Sequence, residues 1–307
     1  MYPSAAYTFF ANRWTSDTGD SGQLLTAYTA TFGGGASATI ALEDPRRGVV
    51  TNTAALALGT APAANQKQIK YPDVVANLRG DWAWGSLQVM GALHESSGGY
   101  YTTSEASGHP SDTWGYALGV GGRLKIPTGV NDSFGFQFNW TKGASRYAAL
   151  LQGGFGNVIL YNSGGVALGW IADGVYGAAG SAVNLTTVWG LNMGFDHGWS
   201  PTLRTSLYGT IAHVDYDGAG SALMAAAACG TATCGNPDMG LWLVGSRTQW
   251  TPVKGLIMGV DVMYERVQTA FGGLFTAAAF NGRTAGYPIS DQGVWEVTFR
   301  IQRNILP

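Results

Sequence analysis

The sequence predicts an all-β fold, an antiparallel transmembrane β-barrel with about eleven strands present, and three observations carry that expectation. Glycine is abundant, 46 of 307 residues, while charged residues make up only 12% against about 25% in ordinary soluble chains. Apolar residues recur at period two in segments of roughly ten, a spacing that belongs to strands and not to helices. The connections between those segments alternate between tight and long, as an up-and-down meander with short turns at one end and long loops at the other requires.

The same composition excludes other classes. The glycines follow no period of three, so collagen is ruled out, and 46% hydrophobic residues with 11 Trp, 14 Tyr and 12 Phe argue for a folded chain. Seventeen basic and nineteen acidic residues give a net charge of −2, with no basic stripe for nucleic acid. The longest uncharged stretch, 147–172, is interrupted by glycine, Asn157, Asn162 and Ser163, and a lipid-exposed helix of about 20 apolar residues is not built that way. The run 218–238 reads as a loop.

The elements follow in chain order. Strands are predicted over 22–32, 36–43, 73–81, 86–94, 114–126, 133–141, 185–195, 202–214, 240–250, 255–267 and 292–302. In the sixth, Phe134, Phe136, Phe138 and Trp140 form one face, and Gly135, Gln137, Asn139 and Thr141 the other. Leu207 and Ile211 oppose Arg204, Ser206 and Tyr208; Val260 and Val262 oppose Asp261 and Glu265; Val297 and Phe299 oppose Glu296 and Arg300. Tight turns are expected near 33–35, 85, 127–132, 198–201 and 252–255, with long loops near 43–72, 95–112, 142–184, 216–238 and 268–291. A soluble sandwich would wet its outer face with charges that this chain does not have. In a lipid-facing barrel the apolar face turns outward and the polar face lines the lumen, with Trp82, Trp84, Trp114, Trp140, Trp199 and Trp250 placed at strand ends as interfacial girdles.

Alternation turns Arg79, Arg123, Lys125, Arg204, Arg247 and Arg300 inward, together with Asp81, Asp261, Glu265 and Glu296. These are the candidate pore-lining groups, foremost Arg79, Arg123 and Arg204 as residues within strands; a bland role in solvating the lumen or pairing with one another competes for each. His94, His109, His197 and His213 are scattered without metal-ligand spacing, and no phosphate-binding loop or nucleophile elbow occurs. No catalytic constellation, metal site or cofactor is therefore expected. Cys229 and Cys234 could close a small disulfide in a long loop.

Several long runs go further. Pro72-Asp73-Val74-Val75-Ala76-Asn77-Leu78-Arg79, then Trp84-Gly85-Ser86-Leu87-Gln88-Val89-Met90-Gly91, Trp199-Ser200-Pro201-Thr202-Leu203-Arg204, and Val244-Gly245-Ser246-Arg247-Thr248-Gln249-Trp250 strongly resemble the alphaproteobacterial general porins. The resemblance runs from about residue 20 to the C-terminus. It implies a sixteen-stranded outer-membrane porin, usually homotrimeric, in contact with outer-membrane lipid and passing small hydrophilic solutes and ions by passive diffusion. A substrate-specific channel is the alternative, and a non-pore surface β-protein a further one. Odd strand number and the lack of a signal peptide suggest a chain without its N-terminal part, with the last eleven strands present. On that mapping residues 1–21 resemble the end of the inward-folding constriction loop, which assigns Asp17 and Asp20 to the loop side, opposite a basic wall; residues 22–307 form the barrel strands and long loops. The ending Arg303-Asn304-Ile305-Leu306-Pro307 departs from the family's usual aromatic terminus.

Overall fold

The structure, a computed structural model, describes residues 6–10, 24–45, 49–55, 67, 70–149, 157–162, 164–228, 235–275 and 286–304. Eleven long strands form one antiparallel sheet: β1 (Leu25–Gly33), β2 (Ala36–Glu43), β3 (Asp73–Trp82), β4 (Gly85–Glu95), β5 (Trp114–Ile126), β6 (Asp132–Lys142), β7 (Thr187–Gly198), β8 (Leu203–Asp215), β9 (Met239–Val253), β10 (Leu256–Gln268) and β11 (Gln292–Arg303). Each pairs with the next in sequence, and β1 and β11 are the two ends of the sheet. These bounds lie within a few residues of those expected from period two.

The faces are inverted relative to a soluble protein. Leu118, Leu207 and Val297 are 57%, 58% and 68% exposed, whereas Asn192 and Asp261 on the opposite parity are 1% and 0% exposed. Lipid is the solvent that suits such an outer surface. Aromatic side chains mark its two rims. On the tight-turn side Trp82 stacks on Trp84 at 5.0 Å, and Trp199 meets His197 edge-on at 4.3 Å. On the long-loop side Tyr116 lies 5.6 Å from Trp140, and Tyr264 lies 5.4 Å from Trp242 and 5.0 Å from Trp295. Amphipathic rings at these levels fit the water–lipid boundary.

The tight-turn rim is locked by polar side-chain contacts at the strand ends. Asp132 at the start of β6 accepts from the Gly198 N–H at 2.8 Å and contacts His197 Nδ1 at 2.6 Å, joining the β6 and β7 ends.

The long loops carry structure of their own. Asn157–Asn162 and Gly165–Trp170 form a hairpin, and Gly174–Tyr176 pairs in parallel with Val50–Asn52 and antiparallel with Asn184–Leu185. The expectation of a loop over 218–238 is corrected at its start, where Gly218–Ala228 is an α-helix, α1. Its run of alanine, leucine and methionine has high intrinsic helix propensity. Asp217 caps it, the carboxylate accepting from the Gly220 N–H at 2.8 Å.

The largest apolar core lies on the lumen side. Ala148, Ala167, Trp170, Ile171 and Val175 from the β6–β7 loop pack on Val188, Ala212, Val214, Leu241 and Val267 of β7 to β10. Those strand residues share the inward parity of Asn192 and Asp261, so the loop folds into the outer mouth of the barrel rather than away from it. Within the uncharged stretch 147–172, the strand Gly165–Trp170 is thus buried against the barrel wall, which explains its apolar composition without a membrane helix.

Candidate functional site

The lumen wall is ordered as cross-strand rows. One row runs Lys125, Ser133, Asp196, Ser206, Arg247, Asp261 and Thr298 from β5 to β11. Facing residues of this register are close enough to interact directly, and the row alternates charge across β7, β9 and β10.

Residues 6–10 lie against this wall. Asp261 accepts three hydrogen bonds at 2.6 Å each, from the Thr8 hydroxyl, the Phe9 N–H and the Tyr208 phenol. Arg247, buried at the next strand, donates to the Ala6 carbonyl and to Ser206 Oγ at 3.1 Å. The Phe9 ring lies between two guanidinium groups, 5.0 Å from that of Arg247 and 5.4 Å from that of Arg300, a favourable arrangement for cations against an aromatic face. Tyr7 is fully buried, and burial pushes its phenol above the ordinary tyrosine range. Its ring occupies space left by two glycines of the adjacent inward row, in which Arg123, Gly135, Gly194 and Tyr208 are cross-strand partners: a Cβ at Gly194 would come within 2.7 Å of the ring, and one at Gly135 within 2.6 Å of the phenol oxygen.

The sequence-predicted residues fall into different situations. Arg79 makes a two-pronged contact with Asp81 on the same strand, at 2.7 and 2.6 Å, and remains half-exposed. Arg123 and Lys125 on β5 are exposed on the inward face, and among the described residues neither has a carboxylate partner. Arg204 lies not in the middle of its strand but at its end, as the second residue of β8. It pairs with Asp196 at 2.6 Å and donates to the Val130 and Asn131 carbonyls at 2.9 and 3.0 Å, tying the β6 turn to the wall. Asp17, Asp20, Cys229 and Cys234 lie outside the described residues.

Sequence reasoning placed Asp261 inward without singling it out, and it passed over Tyr7 and Thr8. The available signal was the pair of inward glycines, Gly135 and Gly194, which leave a hollow on the inward face. His94 reads from the sequence only as a lumen or loop histidine. Its Nδ1 is 2.8 Å from Asp73 and its Nε2 3.5 Å from Asp173, partners too remote in sequence for any spacing rule.

A model of the porin subfamily matches residues 6–297. The chain belongs to that family. Among solved structures, the outer membrane channel DcaP of Acinetobacter baumannii shares 14% identity and superposes with a TM-score of 0.53, covering 90% of this chain and 62% of its own. That likeness is one of fold, and this porin spans about 62% of the length of that channel. LpxR from Salmonella typhimurium, at 9% identity and a TM-score of 0.27 over 90% of this chain and 87% of its own, is too distant to carry an argument. No curated protein sequence matches. Family and sheet architecture place this porin in the bacterial outer membrane.

Proposed function

We propose that this porin contributes the wall of a water-filled channel through which small hydrophilic solutes and ions diffuse passively across the outer membrane. The observation that carries the reading is the inversion of faces: apolar side chains outward on strand after strand, Asn192, Ser206, Arg247 and Asp261 inward. A passive pore needs a polar lumen, a narrow point and charge arranged around it. Residues 6–10 held on the inner wall act in this reading as the end of a constriction loop, with Arg79, Arg123, Lys125, Arg204 and Arg247 as the basic side of the lumen and Asp17 and Asp20 on the loop side. The eleven strands act as part of a sixteen-stranded, alphaproteobacterial-type barrel that assembles as a homotrimer; the outer edges of β1 and β11, which have no strand partner among the described residues, support further strands, since an open edge in hydrocarbon costs several kcal/mol per unsatisfied group.

A substrate-specific channel is favoured by one observation, the apolar packing of Ala148, Ala167, Trp170, Ile171 and Val175 inside the outer mouth. Planar-bilayer recording separates the readings. Stable, ohmic steps with weak discrimination among small ions and sugars support general diffusion; steps blocked by one solute class at low concentration support specificity. A folded product without conductance, alone or with upstream strands supplied, overturns both.

A further inference from the structure

Residues 143–149 and 164–176 of the β6–β7 loop are held on two sides of the barrel. On the β7–β10 side the contact is apolar. On the β3–β4 side a smaller apolar contact, Ala144 and Tyr147 with Val75 and Ala92, is joined by a buried ionic one. Asp73 opens β3, His94 lies near the end of β4, and Asp173 belongs to the β6–β7 loop. His94 Nδ1 is 2.8 Å from Asp73 Oδ1, and His94 Nε2 is 3.5 Å from Asp173 Oδ2. All three side chains are at most a few per cent exposed. A neutral imidazole carries one N–H, so only the doubly protonated ring donates to both carboxylates.

Each carboxylate is also tied to the loop. Tyr147 donates its phenol to Asp73 Oδ2 at 2.7 Å, and the Ser145 N–H and hydroxyl donate to Asp173 Oδ1 at 2.6 and 2.8 Å. The backbone of Asp173 donates to the Val49 carbonyl at 2.7 Å, so the strand Val50–Asn52 is drawn into the same unit. Nothing in a diffusion pore calls for a histidine buried between two aspartates at the lip.

We propose that the Asp73–His94–Asp173 triad is a latch that pins residues 143–149 and 164–176 across the outer mouth, these residues turning on their apolar contacts with β7–β10 when the latch opens. Widening of the entrance on release rests on the channel reading above; the pinning itself does not. Removing the imidazole leaves two buried carboxylates facing one another, an arrangement far less stable than the intact group.

The test compares the full chain with His94→Gln and Asp173→Asn in detergent micelles and in bilayers. Amide exchange at Ser145, Asp173 and Thr186 is expected to accelerate by about tenfold or more in His94→Gln, through local opening, while the Ala270 amide, bonded to the Leu168 carbonyl on the apolar side, stays protected. Asp173→Asn should show the same pattern and serves if His94→Gln fails to fold. In a conducting preparation the variants should give larger or flickering steps. Unchanged exchange in a folded variant overturns the latch. Accelerated exchange at these amides in a protein that never conducts upholds the latch and counts against the channel reading instead. Equal acceleration at Ala270 overturns the pivot, because the whole loop would then be leaving.

Discussion

Single side chains in this porin are read by which solvent they face. Phe138 points to the lipid and its neighbour Gln137 to the lumen, so Phe138→Arg should cost about 2–4 kcal/mol near the bilayer midplane and Gln137→Arg little; urea-unfolding midpoints in lipid vesicles would check this, and equal costs would refute the assignment of faces. Asp261 is the hub for residues 6–10. Asp261→Leu deprives the Thr8, Phe9 and Tyr208 donors of their acceptor, with an expected loss of about 1–3 kcal/mol for each donor left buried without one. Differential scanning of the detergent-solubilised protein should show the lowered midpoint. Gly194→Leu attacks the same contact from the other partner, because its side chain would occupy the place of the Tyr7 ring. That variant should release residues 6–10 from the wall, read as faster proteolysis of the segment and a larger single-channel step.

At the scale of elements, strands and loops are stabilised differently. The strands gain from complete ladders and from cross-strand pairs such as Tyr264 with Trp295. The outer loops depend on local ties. Lys67 and Lys70 both donate to Asp112, at 2.6 and 3.1 Å, and these ammonium groups, Lys67 first, hold the Asp112 carboxyl below its usual range. The sign follows from linkage: with a depressed folded value the tie contributes at and above the ordinary aspartate range, near about pH 3.9, and is lost as pH falls through the depressed value. Because the group is solvent-exposed, the contribution is small and screened by salt. Protease accessibility of the 96–112 loop should therefore stay constant from neutral pH to about pH 5, increasing only below the ordinary aspartate range and more readily at high ionic strength; a loop that opens near pH 6 would contradict this.

For the whole molecule, the sheet is an arc whose inner face collects the charges and whose two ends are unpaired with one another. The exposed cations Arg123 and Lys125 stand on β5, whereas the charges of β7 to β10 are largely matched, Asp196 with Arg204 and Arg247 facing Asp261 across adjacent strands. Replacing both β5 cations with glutamate should shift the reversal potential in a salt gradient towards cation preference, with the step size nearly unchanged. The same replacement at Arg204 should instead weaken the tight-turn rim, since it removes the tie to the Val130 and Asn131 carbonyls.

What the sequence determined by itself is whatever depends on local period and solvent. Strand bounds, the inverted faces, the alternation of turns and loops, and the inward direction of Arg79, Arg123, Lys125 and Arg247 all follow from period two, because side chains alternate rigidly across a strand. The aromatic rims were legible for a similar reason, as tryptophans placed next to turns. The Ala-rich helix Gly218–Ala228 was obscured by the glycines around it. Only the tertiary structure decided what fills the lumen. Tyr7 against Gly194, Thr8 on Asp261, Trp170 under Val214 and His94 between Asp73 and Asp173 join residues that are remote in the chain. No periodicity records such contacts, because they arise only when the sheet curves and brings its inner wall round the segments folded inside it.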